Sequence, residues 1–186
     1  MSRLRIATRD GAPAASKPIL DIIYERLGVL PNVSRLIASS PTALAAFSAF
    51  QDGLSGTFSA KTHERIALAV AQVNGSDYCL SAHSYLATNF AHLPPDEIVL
   101  NRRGASRDPS ADAAVRFATK VAEKRGHVSD GDIAEVREAG YDDPQIVEII
   151  ALVAENVFTN CLNQVASTEI DYPIVRAETE REDGEL

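Results

Sequence analysis

Apolar residues recur along this chain at intervals of three and four, the spacing that gathers side chains on one face of an α-helix. Ile19, Ile23 and Leu27 form one such stripe, Val33, Leu36 and Ile37 a shorter one, and Leu44, Phe47 and Phe50 a third. Ile66, Val70 and Val73 follow, then Cys79, Ala82, His83, Leu86 and Phe90, and later Ile149, Val153 and Val157. Alternating runs of the kind that make strands are missing, so the spacing predicts an all-α protein.

The polar punctuation agrees with that reading. Ser16, Ser59 and Ser129 stand where helix caps are needed, and Pro41, Pro95, Pro109 and Pro144 stand where helices open. Gly28, Gly53, Gly104 and Gly140 are the expected stops, and Asn74-Gly75 separates two helices with almost no linker. A chain of 186 residues suits one core. The pattern therefore predicts a single helical domain over 1–186, with a flexible N-terminal arm to about residue 15 and a charged C-terminal tail over about 174–186.

Charge narrows the partners. The chain holds 18 Lys and Arg against 26 Asp and Glu, a net charge of -8, which disfavours nucleic acid and anionic membranes. No stretch reads as a signal peptide or a bilayer span, and two well-separated cysteines, Cys79 and Cys161, make neither a disulfide framework nor a zinc ribbon. A reducing, cytoplasmic setting is expected.

The densest candidate chemistry lies in Ser76-Asp77-Tyr78-Cys79-Leu80-Ser81-Ala82-His83. With Ser76 as N-cap, Cys79 is the third helical residue, its N–H within reach of the serine oxygen. A thiol there meets the positive end of the helix dipole, which favours thiolate. His83 lies one turn on, along the same face, where it can exchange a proton with the sulfur. The same spacing also suits a small buried cysteine packed beside a core histidine. Glu64 shares its face with Ala67, Leu68 and Ala71, which points its carboxylate inward toward a partner. His63, Glu64, Cys79 and His83 are zinc-ligand types, but His63 and Glu64 are adjacent on a helix and diverge, so no metal site is expected. His92 and His127 fall near helix ends, and Cys161, beside Val157 and Leu162, reads first as packing.

Glu64, the run Ile66 to Ala71, and Asn74 to His83 together resemble the core motif of the AhpD-like, carboxymuconolactone decarboxylase superfamily. That motif is a glutamate, a helix, a CxxC pair and a histidine four residues after the second cysteine. Cys79 matches the second cysteine, His83 the histidine and Glu64 the glutamate, while Asn156 to Asn163 and Glu169 to Pro173 are similar to the closing helix of peroxidase-related members. The resemblance implies an AhpD-like multi-helical bundle assembling as trimers or hexamers, with no bound cofactor. It also implies thiol peroxidase chemistry, in which Cys79 attacks a hydroperoxide, Glu64 and His83 relay the proton, and an external thiol restores the sulfur.

Two positions depart from the pattern. Ser76 replaces the first cysteine, and Tyr78 stands where some members have a histidine. Without a thiol at Ser76 no local disulfide forms, so a sulfenate on Cys79 turns to Cys161 or to an external thiol. The resemblance leaves two other readings open. One is an acid-base lyase of the decarboxylase branch, acting through Glu64 and His83 on a small carboxylated substrate, with Arg65 or Arg102 folding in to hold it. The other is a helical assembly protein whose site has decayed. Helix rise puts Glu64 roughly 16 Å before the turn at Gly75 and His83 roughly 12 Å after it, so their contact is implied by the resemblance alone.

Overall fold

The computed structural model describes residues 2–178, and those residues form helices and connecting segments without a strand. A 3₁₀ turn at Ala14–Ser16 leads into α1 (Lys17–Leu27), followed by α2 (Asn32–Ile37), α3 (Pro41–Leu54), α4 (Ala60–Val73) and α5 (Asp77–Asn89). The remainder comprises α6 (Pro95–Arg102), α7 (Pro109–Glu123), α8 (Asp130–Glu138) and α9 (Asp143–Ala166). Caps set most of these starts. Ser59 Oγ accepts the Thr62 N–H, while Ser129 with Asp132 and Asp142 with Gln145 form reciprocal capping boxes.

The bundle is organised around α4, which packs on α5, α6, α7 and α9. Every residue from Arg65 to Ala71 is buried, as a helix enclosed on all sides requires. Ile66 and Val70 meet Val115, Phe117, Ile149 and Leu152 in one apolar cluster; Leu68 and Ala71 join Tyr78, Cys79 and Leu80 in a second. Fully burying a side chain such as Leu68 contributes about 2 kcal/mol. Arg65 is the charged residue of this buried stretch, and Glu97 of α6 meets it: Arg65 Nε donates to Oε1 at 2.9 Å. The same carboxylate accepts from Asn101 Nδ2, Ser106 Oγ and Arg107 N, which fastens α6 and the approach to α7 onto α4.

Several details differ from the sequence reading. Helix α3 runs through Gly53, and Phe50 and Phe90 are exposed, Phe90 because α5 has already ended at Asn89. The N-terminal arm is fastened at its start, with Arg3 N donating to Ala166 O and Ser2 Oγ accepting from Glu169 N. The segment expected as a tail from 174 crosses the start of α5 instead. Val175 N donates to Ser81 Oγ, Ala177 N to Asp77 Oδ1, and Arg176 pairs with Asp77. The rest of that expected tail, 179–186, lies outside the described residues. Among the described residues one helix, α9, has the length and apolar content to cross a membrane, contrary to the sequence reading. It packs on α3, α4, α5 and α7 and buries Asn156, Asn160 and Asn163 on its inner side.

Candidate active site

The site is assembled at the tight connection between α4 and α5. Gly75 takes φ 64°, a left-handed conformation open to glycine at little cost. Helix α9 holds this turn: Asn74 Nδ2 donates to Asn160 Oδ1 at 2.8 Å, and Gln164 Nε2 donates to the Asn74 carbonyl. Cys79 is thereby fixed as the third residue of α5 and is 3% exposed. Asn163 Nδ2 donates to its sulfur at 3.4 Å, and the thiol points toward Thr159 Oγ1 at 3.9 Å.

One turn further along α5, His83 Nδ1 stands 2.9 Å from Glu64 Oε2, with the two side chains 22% and 17% exposed. Burial alone would lower the imidazole's affinity for a proton. The Glu64 carboxylate outweighs it, with smaller contributions from Cys79 and Glu155, and His83 is pushed up to about 9. At neutral pH the ring is therefore an imidazolium paired with Glu64. Its ring and the Cys79 sulfur face one cavity of about 310 Å³, walled on the apolar side by Leu27, Val33, Ile37, Leu44, Phe47 and Leu86. His83 also lines a second, more polar cavity of about 410 Å³, shared with Glu64, His63 and Glu155. The arrangement places a thiol and an imidazolium at one apolar chamber and joins the imidazolium to a polar one.

Residues 41–124, from α3 to the end of α7 and including Glu64, Cys79 and His83, match the model of the Carboxymuconolactone decarboxylase family. Two solved structures share the fold over nearly their whole length. The alkylhydroperoxidase AhpD core of a peroxidase-related protein from Ralstonia eutropha JMP134 superposes with a TM-score of 0.81 at 24% identity, covering 91% of this chain and 92% of that one. A peroxidase-related protein from Silicibacter sp. TM1040 gives 0.78 at 25% identity, over 90% and 91%. Over residues 41–124 the chain is similar to the Carboxymuconolactone decarboxylase family, and over nine-tenths of its length it shares the AhpD-like helical fold. A third AhpD-like neighbour in fold is a cysteine-to-alanine variant of the debrominase Bmp8 in complex with 2,3,4-tribromopyrrole, with a TM-score of 0.77 at 22% identity over 92% and 94%. No curated protein matches the chain in sequence.

The other sequence-marked residues take different places around this site. Ser76 precedes α5, but its side chain caps nothing: the hydroxyl is buried without a hydrogen-bond partner, and Cys79 receives no bond from it. Tyr78 braces the fold. Its hydroxyl donates to Asp171 Oδ1 at 2.8 Å and accepts from Val33 N at 3.0 Å, and burial raises its pKa. Cys161 is exposed on α9 rather than packed, because Asn160 and Asn163 occupy the inner side of that helix. Arg65 is engaged by Glu97 and Asp108, and Arg102 by Gln72 and the Arg176 carbonyl, so neither reaches the cavities. The arginine at both cavities is Arg26, paired at 3.5 Å with Asp52. Burial lowers the pKa of His63, which packs near Phe58, and Glu64 turns away from it toward His83. Among the described residues no three His, Cys, Asp or Glu side chains converge as a metal site.

Sequence reasoning noted 156–163 and 169–173 only as a likeness to a closing helix and gave no site role to Asn156, Thr159 and Asn163, which the inner side of α9 brings to the cavity, or to Tyr172, which stacks edge-on against Tyr78 at 6.0 Å. The asparagines did leave a trace. Positions 156, 160 and 163 share one face of an otherwise apolar helix, a pattern that marks buried amides with polar work to do.

Proposed function

We propose that this protein is a one-cysteine thiol peroxidase that reduces organic hydroperoxides through Cys79. The observation that supports it best is that the Cys79 sulfur and the Glu64-paired His83 ring face one apolar cavity. In this reading the Cys79 thiolate attacks the outer peroxide oxygen, the O–O bond breaks, and the departing alkoxide takes the His83 proton to leave as an alcohol. Cys79 becomes a sulfenic acid. An external thiol condenses with it to a mixed disulfide and water, and a second thiol releases the reduced sulfur and carries off the disulfide. Cys161, exposed and outside the cavity walls, is not needed for that cycle. The reducing thiols belong to the cytoplasmic setting that the cysteine usage suggests, and assembly into trimers or hexamers is part of the same proposal.

Turnover of cumene hydroperoxide with dithiothreitol tests this directly. It is expected in the wild type and in Cys161→Ser and absent in Cys79→Ala; no consumption by the wild type would overturn it. A second reading, thiol-dependent removal of halogen from a small aromatic ring, is favoured by the apolar wall and by the tribromopyrrole complex of the debrominase neighbour. Bromide release from a brominated pyrrole, with no hydroperoxide turnover, would select it. The lyase alternative predicts instead that Cys79→Ser keeps its activity while His83→Ala loses it.

A further inference from the structure

We infer that Asn163 is the positioning residue that holds the Cys79 sulfur as a thiolate. The Asn163 amide is 3% exposed, and Nδ2 donates to Sγ at 3.4 Å. Thr159, the other hydrogen-bonding side chain at the sulfur, cannot do this. Its single O–H is committed to the Asn156 carbonyl at 3.0 Å, so toward Cys79 its oxygen can only accept, which suits a thiol and not a thiolate. The donor role falls to Asn163.

The far end of the same amide supports the assignment. Asn163 Oδ1 is buried with no hydrogen-bond partner, so the contact to sulfur is the side chain's one bond among the described residues. Asn160 is oriented the other way, with Oδ1 accepting from Asn74 and Nδ2 unpartnered, so the two amides divide the turn and the sulfur between them. Here the amide gives up one end to present the other to the sulfur. Nearby Asn160 and Gln164 on the same helix fix the turn before α5, so donor and sulfur are held by one rigid element.

This inference rests on Cys79 being the reactive thiol of the proposed function, but its test needs no hydroperoxide. In a Cys161→Ser background, the rate of Cys79 alkylation by iodoacetamide is followed from pH 5 to 10, with thiolate absorbance in the ultraviolet as a second readout. The titratable and charged groups facing the sulfur's cavity are His83 on α5, Glu155 on α9, Arg26 on α1, and Tyr78 and Tyr172, with Glu64 on α4 behind His83. All remain in every variant. Asn163→Leu should displace the curve toward alkaline pH by about one unit, which is a loss of about tenfold in rate at pH values below both midpoints, while the alkaline plateau is kept. Asn163→Asp keeps the shape, replaces the donor with a charge that repels thiolate, and should displace the curve further; it also carries the test if the leucine variant does not fold. Curves that coincide with the parent, or a lowered plateau without displacement, would overturn the inference. Failure of the wild type to consume hydroperoxide, with the displacement observed, would remove the peroxidase reading and leave this one standing.

Discussion

Glu64 Oε2 and His83 Nδ1 meet at 2.9 Å across the α4–α5 pair, and this ion pair decides the charge on the ring that faces Cys79. The carboxylate lifts His83 from the ordinary 6.5 to about 9, so the ring donates rather than accepts a proton at neutral pH. A folded-state value above the unfolded one means that the pair's stabilisation is complete below pH 6.5 and is lost as pH rises through about 9. Nuclear magnetic resonance of the ring should give a midpoint near 9 in the wild type, falling toward 6.5 in Glu64→Gln. Urea melts should show Glu64→Gln less stable than the wild type at pH 6.5, with the gap closing by pH 10. A gap that persists at pH 10 would show that Glu64 acts through packing.

Turnover should follow the same ring. His83→Ala removes the donor to the leaving alkoxide, and general acids of this kind contribute roughly 10²–10⁴-fold. Glu64→Gln leaves the ring in place but less charged, so its loss should be smaller at acid pH and larger near neutrality. A pH–rate profile of both variants against the wild type checks the order.

Glu97 accounts for a different part of the pH response. Burial opposes its charge, but hydrogen bonds from Ser106, Asn101 and the Arg107 N–H, with Arg65 alongside, hold the carboxyl near 2 against an ordinary 4.5. Its contribution is complete above pH 4.5 and is lost as pH falls toward 2. Glu97→Ala should cost about 3 kcal/mol at pH 7, because it leaves the buried Arg65 charge with only the more distant Asp108 carboxylate, 3.7 Å away. Denaturant midpoints at pH 7 and pH 3 measure it, and the difference from wild type should narrow at the lower pH.

How much of this was legible in the sequence differs by level. Helix starts were readable at Ser59 and Ser129, which act locally on N–H groups within three residues, but not at Ser16, whose hydroxyl donates to the Ala38 carbonyl and caps nothing. The Glu64–His83 contact was not, since helix rise alone leaves the two about 4 Å out of level and only the packing of α4 on α5 with two long side chains closes it. Asn163 is a harder case. Its helical period shows that it faces inward, but periodicity names a face and not the neighbour across it, and the sulfur lies 84 residues away in sequence. The strap over 174–178 was misread for a related reason: it is held chiefly by polar bonds to Asp77 and Ser81, which leave no apolar rhythm.

Tyr78 tests whether the segment leading into that strap, held at Asp171, matters to the site. Its hydroxyl joins the start of α2 to Asp171, and its ring lines the Cys79 cavity. Tyr78→Phe keeps the ring and leaves the Val33 N–H without its partner, so stability should fall by about 1–2 kcal/mol. Because the sulfur's own contacts are untouched, Cys79 alkylation at pH 7 should stay within a factor of about three. A much larger change would make Tyr78 part of the chemistry.

Ser76 offers the sharpest comparison with the CxxC pattern. Its hydroxyl is buried and unpartnered, so Ser76→Cys exchanges an unsatisfied polar group for a sulfur suited to an apolar site, and folding should not suffer. The new thiol would lie three residues before Cys79 at the start of α5, the spacing of redox CxxC pairs. One equivalent of hydroperoxide should then consume both thiols through a sulfenic acid on Cys79 and its displacement by the new thiol, releasing water. The wild type should lose one thiol and hold the sulfenic acid, which dimedone would trap. Free-thiol counts with and without dimedone distinguish these outcomes in a Cys161→Ser background. Equal trapping in both proteins would mean that the start of α5 holds its first turn too rigidly for a disulfide to close.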